Sequence, residues 1–144
     1  MALINSPAEL ETFRSGLLSK REENKPCITI CSGSACRASG SEEVAAGITA
    51  ELERRGLSDK IDVRKTGCHG FCERGPIAVL HPSEVCYLQI KTGDVEEIVT
   101  SAEGPEKIIE RLLYVDPATG EKITHENEIP FYKNQERLIF GANG

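Results

Sequence analysis

Residues 27–40 read CITICSGSACRASG and residues 61–76 read IDVRKTGCHGFCERGP. Each stretch opens as a strand and breaks into a glycine-rich loop carrying two cysteines. CITIC (27–31) is a short apolar run rich in β-branched residues, the pattern of a buried strand. IDVRKT (61–66) alternates apolar and polar residues, which predicts a second strand. Residues 41–55 lie between them and read as a helix, with Val44, Ala45, Ile48 and Leu52 as its buried stripe. Ser39 with Glu42, or Ser41, is expected to cap its start, and Gly56 to end it. A strand–helix–strand unit of this kind places its two strands in parallel. Both cysteine loops then leave the same edge of the sheet.

Downstream, IAVL (77–80) and VCYLQI (85–90) read as an antiparallel hairpin turning at His81–Pro82–Ser83. Residues 94–101 and 105–113 are expected to be helical, the latter with Ile108, Ile109, Leu112 and Leu113 inward. Upstream, residues 6–19 predict a helix capped by Ser6, with Pro7 in its first turn, Glu9 closing a capping box, and Leu10, Phe13 and Leu17 on one face. The expected fold class is α/β, a mixed four-stranded sheet flanked by helices. Three parts are expected: 1–26, an N-terminal helix and charged connector; 27–115, the domain; and 116–144, an extended arm or linker packing on something beyond this chain.

Cys31 and Cys36 have four residues between them, Cys68 and Cys72 have three, and thirty-one separate the pairs. Four thiolates on two facing loops, held by a rigid layer, form a metal site. An iron–sulfur cluster needs thiolates together with N–H donors aimed at its sulfurs, and small residues allow the backbone to come close. Ser32, Gly33, Ser34 and Ala35 lie within one pair, and His69, Gly70 and Phe71 within the other. This pattern predicts one [2Fe–2S] cluster on Cys31, Cys36, Cys68 and Cys72. Arg37, Lys65 and Arg74 lie near enough in sequence to offset its negative charge, and equally read as solvent-facing groups. Tetrahedral zinc would accept the same four ligands, although the two-residue gaps of zinc knuckles are missing. A dithiol–disulfide centre is a third reading. Cys27 and Cys86 fall inside strands and read as small core hydrophobes, as Tyr87 reads as a packing residue. His69 reads as outward-facing or as part of the cluster surroundings. His81 and His125 show no evident partner.

The formal net charge is −6, and residues 91–128 account for all of it with ten acids against four bases. A chain without a basic stripe does not suit nucleic acid. No apolar run approaches the ~20 residues that span a bilayer, so no direct membrane insertion is expected. The start lacks the pattern of a secretory signal, and the expected localisation is cytoplasmic. No dinucleotide fingerprint, P-loop or nucleophile elbow is present, and no catalytic residue is expected.

At the quoted cysteine motifs the chain resembles the thioredoxin-like [2Fe–2S] ferredoxins. It is similar to the N-terminal domain of the NADH-binding flavoprotein subunits of NADH dehydrogenases, NAD-reducing hydrogenases and formate dehydrogenases. The resemblance implies a thioredoxin-like fold and maps the family's cluster ligands onto Cys31, Cys36, Cys68 and Cys72. GEKITHENEIPFYKNQERLIFGANG (120–144) resembles the connector into a flavoprotein domain. FMN and NAD(H) are therefore expected only in such a downstream domain, outside this chain. The implied function is one-electron transfer as a relay within a larger NADH-linked oxidoreductase. The implied partners are iron–sulfur or flavin centres of other redox subunits or domains, and a homodimer is possible, as in the small stand-alone ferredoxins. The alternatives are a structural zinc or docking module and a thiol–disulfide oxidoreductase.

Overall fold

The computed structural model describes residues 3–19, 25–104, 107–136 and 138. Its elements, in order, are α1 (Pro7–Leu18), β1 (Cys27–Cys31), α2 (Ser34–Ala38), α3 (Ser41–Arg55), β2 (Asp62–Thr66), β3 (Ala78–His81), β4 (Val85–Tyr87), α4 (Val95–Ala102), β5 (Tyr114–Val115), β6 (Lys122–Ile123) and α5 (Pro130–Lys133). The main sheet has the order β2-β1-β3-β4. β1 runs parallel to β2 in the register Cys27–Asp62 to Cys31–Thr66, and β3 is antiparallel to both β1 and β4. The mixed four-stranded sheet, the crossover and the hairpin are those expected.

Strand alternation divides the core in two. Ile28 and Ile30 of β1, Ala78 and Leu80 of β3, and Val85 and Tyr87 of β4 pack with Val44, Ala45, Ile48 and Leu52 of α3 and with Ile98 and Val99 of α4. The intervening residues, Cys31, Val79 and Cys86, join Ile77 and Leu88 on the opposite face. That second face is covered by Tyr114, Ile129 and Tyr132. Residues 116–136 are therefore not an extended arm: they return to the domain. β6 pairs with β5, the Cys86 N–H donates to the Thr124 carbonyl at 2.8 Å, and Val85 bridges to His125. The physical reason is the apolar second face, which has to be shielded from water. Residues 137 and 139–144 of the expected arm lie outside the described residues, as does the connector 20–24.

Smaller differences have local causes. α2 forms inside what reads as a loop. α3 starts after Gly40 at φ +94°, without a Ser39 or Ser41 side-chain cap, and ends at Gly56 at φ +67° as expected. The expected helix over 105–113 is reduced, within its described residues, to a single 3₁₀ turn at Glu110–Leu112. There the Ile109 N–H donates to the buried Tyr87 hydroxyl at 3.1 Å instead of to a helical carbonyl. Ile109, Leu112 and Leu113 are buried as expected, whereas Ile108 is exposed. α1 is capped by Ser6, whose Oγ accepts from the Glu9 N–H at 3.2 Å. The Glu9 carboxylate reaches back to the N–H of Asn5, one residue before the expected box partner. Leu10, Phe13 and Leu17 share a face as expected, but more than half of each is exposed.

Candidate metal centre

The β1–β2 register sets Cys31 beside Thr66, so the two cysteine loops leave the sheet side by side. Cys31 ends β1 and Cys36 lies in α2; both are buried, at 1% and 2% exposure. Cys68 follows β2 and is half-buried, and Cys72 opens a 3₁₀ turn (Cys72–Arg74) and is exposed. The loops interlock through two glycines. A Cβ on Gly33 would stand 3.1 Å from the Sγ of Cys68, and one on Gly75 only 2.6 Å from the Sγ of Cys36. Each loop thus brings a bare backbone against a cysteine of the other.

Two of the four thiols are perturbed by burial and by their neighbours. Burial pushes the Cys36 thiol up to about 12, helped by its hydrogen bond with Cys31 and by the charges of Cys31 and Cys72. The Cys72 thiol is raised by desolvation, then by Cys68 and Cys31. Bringing four thiolates this close requires positive charge among them, which iron provides as the thiols lose their protons. The Gly70 N–H, donating to the Cys68 Sγ at 3.3 Å, is a backbone donor of the kind such a centre uses. Among the described residues, no three His, Cys, Asp or Glu side chains form a cage for a single ion. A two-iron cluster shares its ligands between two metals and does not need four sulfurs to meet at one point. The donor set fits a [2Fe–2S] cluster.

The nearby cations are engaged locally. Arg37 (3.4 Å) and Lys65 both pair with Glu42, and the Lys65 ammonium holds the Glu42 carboxyl below its usual range. The Arg74 guanidinium lies 5.9 Å from the centroid of the Tyr114 ring. Cys27 and Cys86 are buried core residues, and burial raises the Cys86 thiol strongly. His69 faces inward, not outward: it is 2% exposed, with Nε2 3.0 Å from Thr66 Oγ1 and Nδ1 2.8 Å from Glu126 Oε1. His81 lies 2.8 Å from Glu84 Oε1 and 3.3 Å from Thr29 Oγ1, and His125 contacts the Glu84 carbonyl, so both have partners that the sequence does not reveal. Glu126 and Phe131 are the residues of this region that sequence reasoning misses. No local signal marks them, because the contacts they make are long-range.

The family model for thioredoxin-like [2Fe–2S] ferredoxins matches residues 11–103. The chain belongs to this family. Among related ferredoxins, the [2Fe–2S] ferredoxin of Clostridium pasteurianum is 39% identical over 77 residues, covering 54% of this chain and 76% of that protein. The crystal structure of the wild-type thioredoxin-like [2Fe–2S] ferredoxin of Aquifex aeolicus superposes with a TM-score of 0.54 at 29% identity, over 60% of this chain and 93% of that one. A chain of an NAD+-reducing [NiFe]-hydrogenase in its H2-reduced state shares the fold, with a TM-score of 0.54 at 13% identity. The match covers 76% of this chain and 22% of the hydrogenase chain. The ferredoxin fold and family make this an electron-relay domain of the [2Fe–2S] type.

Proposed function

We propose that Cys31, Cys36, Cys68 and Cys72 hold one [2Fe–2S] cluster and that this ferredoxin domain relays single electrons within a larger NADH-linked oxidoreductase. The observation that carries the reading is the close approach of the two cysteine pairs across two interlocked loops. When bound, the cluster supplies a one-electron couple. The chain's residues do the rest. Cys31 and Cys36 hold the inner side, away from water, and Cys68 and Cys72 hold the outer side. The Gly70 N–H steadies the Cys68 sulfur as charge arrives. Exposure of Cys72 makes that side the short route for an electron to or from a partner centre.

The larger assembly is supported by the fold shared with the hydrogenase chain, of which this chain spans about a fifth, and by the resemblance of residues 120–144 to a flavoprotein connector. In this reading FMN and NAD(H) belong to a further domain or subunit, and the partners are flavin or iron–sulfur centres. A cytoplasmic setting, where structural disulfides are rare, is part of this reading. The test is electron entry. Under anaerobic conditions, NADH with a catalytic amount of an NADH-dehydrogenase-type flavoprotein subunit is expected to bleach the visible absorption of the loaded chain. Bleaching by dithionite but not by this pair contradicts the NADH-linked placement.

A further inference from the structure

The second cysteine loop is held from outside by the returning segment. His69 and Phe71, the residues flanking Gly70 between Cys68 and Cys72, both turn inward, while Gly70 itself is exposed at φ +86°. The His69 ring is fixed at both nitrogens. A carboxylate only accepts, so Nδ1 carries the proton shared with Glu126 at 2.8 Å, while Nε2 meets the Thr66 hydroxyl at 3.0 Å. Phe71 stacks on Phe131 with centroids 4.2 Å apart and planes at 8°, and meets Tyr132 edge-on at 5.7 Å. The segment carrying Glu126, Phe131 and Tyr132 is itself anchored by the Cys86–Thr124 hydrogen bond, the β5–β6 pair and the fully buried Ile129. It lies beyond the 11–103 family match.

We infer that Glu126 and Phe131 are positioning residues for the cluster: acting through His69 and Phe71, they fix the backbone that presents the Cys68 and Cys72 sulfurs. The inference rests on the reading of those two cysteines as ligands. Two clamps on a loop this short leave its sulfurs little freedom to move when the charge at the site changes. Phe131 and Tyr132 also keep water from the inner side of the loop. The geometry requires an acceptor at position 126, not a charge, because a carbonyl oxygen also accepts from Nδ1.

The experiment compares the wild-type 144-residue chain with Glu126→Ala, Glu126→Gln, Phe131→Ala and Glu121→Gln after cluster reconstitution. The readouts are the rate of visible bleaching under a chelator and the g-values of the reduced cluster. Loss of partners around metal ligands typically weakens a site by about 10–100-fold. Glu126→Ala is expected to lose its cluster roughly tenfold faster, within that range, with shifted g-values. Phe131→Ala should move in the same direction. Glu126→Gln should restore both readouts towards wild type, and Glu121→Gln, at an exposed position on the same segment, should change neither. If Glu126→Ala loses its native far-UV signal, Phe131→Ala decides by the same readouts. Unchanged release and g-values in the folded alanine variant, or failure of Glu126→Gln to restore them, overturn the inference alone. A wild-type chain that takes up no iron and sulfide overturns the ligand reading and this inference with it.

Discussion

At the scale of single residues, the cysteine spacing and the small residues around it were readable because they are local. Thiolate chemistry and close backbone approach both leave marks within a few positions. Gly75 shows how tight that approach is: an added methyl would stand 2.6 Å from the Cys36 sulfur, which is buried and cannot yield. Gly75→Ala is expected to cost about 1–3 kcal/mol by overpacking and to lower iron content after reconstitution to below half of wild type. Gly93→Ala, with open space at its Cβ, should change neither. Thermal melts and iron assays check both, and equal iron content in the two variants contradicts the interlocked geometry. His69 was not readable in the same way. Its partner Glu126 is 57 positions away, and nothing beside His69 announces it.

Among the elements, periodicity revealed α3, the expected short helix over 94–101 is α4, and the crossover rule gave β1 and β2 their parallel pairing. What failed was decided by tertiary contacts. The expected helix over 105–113 gives way where the Ile109 N–H finds the Tyr87 hydroxyl. The return of residues 116–136 does leave a trace in the strands it covers. CITIC, interrupted only by Thr29, and IAVL are apolar along their length, and such strands are covered on both faces. The helices α3 and α4 cover only one.

The junction of α3 and α4 turns on Arg55. It pairs with Glu51 at 2.6 Å and reaches Thr100 Oγ1 at 2.8 Å and Glu103 at 3.4 Å. Hydrogen bonds from Arg54, then Arg55, lower the Glu51 carboxyl from 4.5 to about 2. A folded-state value below the unfolded one stabilises the fold above pH 4.5, and this contribution is lost as the pH falls towards 2. Glu51→Gln in the metal-free chain is therefore expected to melt a few degrees below wild type near neutrality. The two melting curves should converge as the pH is lowered through that window. A gap that is independent of pH contradicts the assignment.

Over the whole molecule, the parts serve one arrangement. The sheet sets two loops side by side, α3 and α4 fill one face, and the returning segment closes the other behind the second cysteine pair. The acidic excess of residues 91–128 lies downstream of all four site cysteines in the sequence. Fold and family identify a ferredoxin-type relay, and the ligand set is the claim on which the rest depends. It is tested most directly by anaerobic reconstitution of wild type, Cys68→Ala and Cys86→Ala, read by iron, acid-labile sulfide and the paramagnetic signal after reduction. Wild type and Cys86→Ala are expected to be red-brown, with iron and sulfide in equal amounts and a rhombic signal, while Cys68→Ala loses the cluster or holds it only briefly. Stoichiometric zinc without iron or sulfide in wild type, or equal cluster content in the two cysteine variants, would contradict the account.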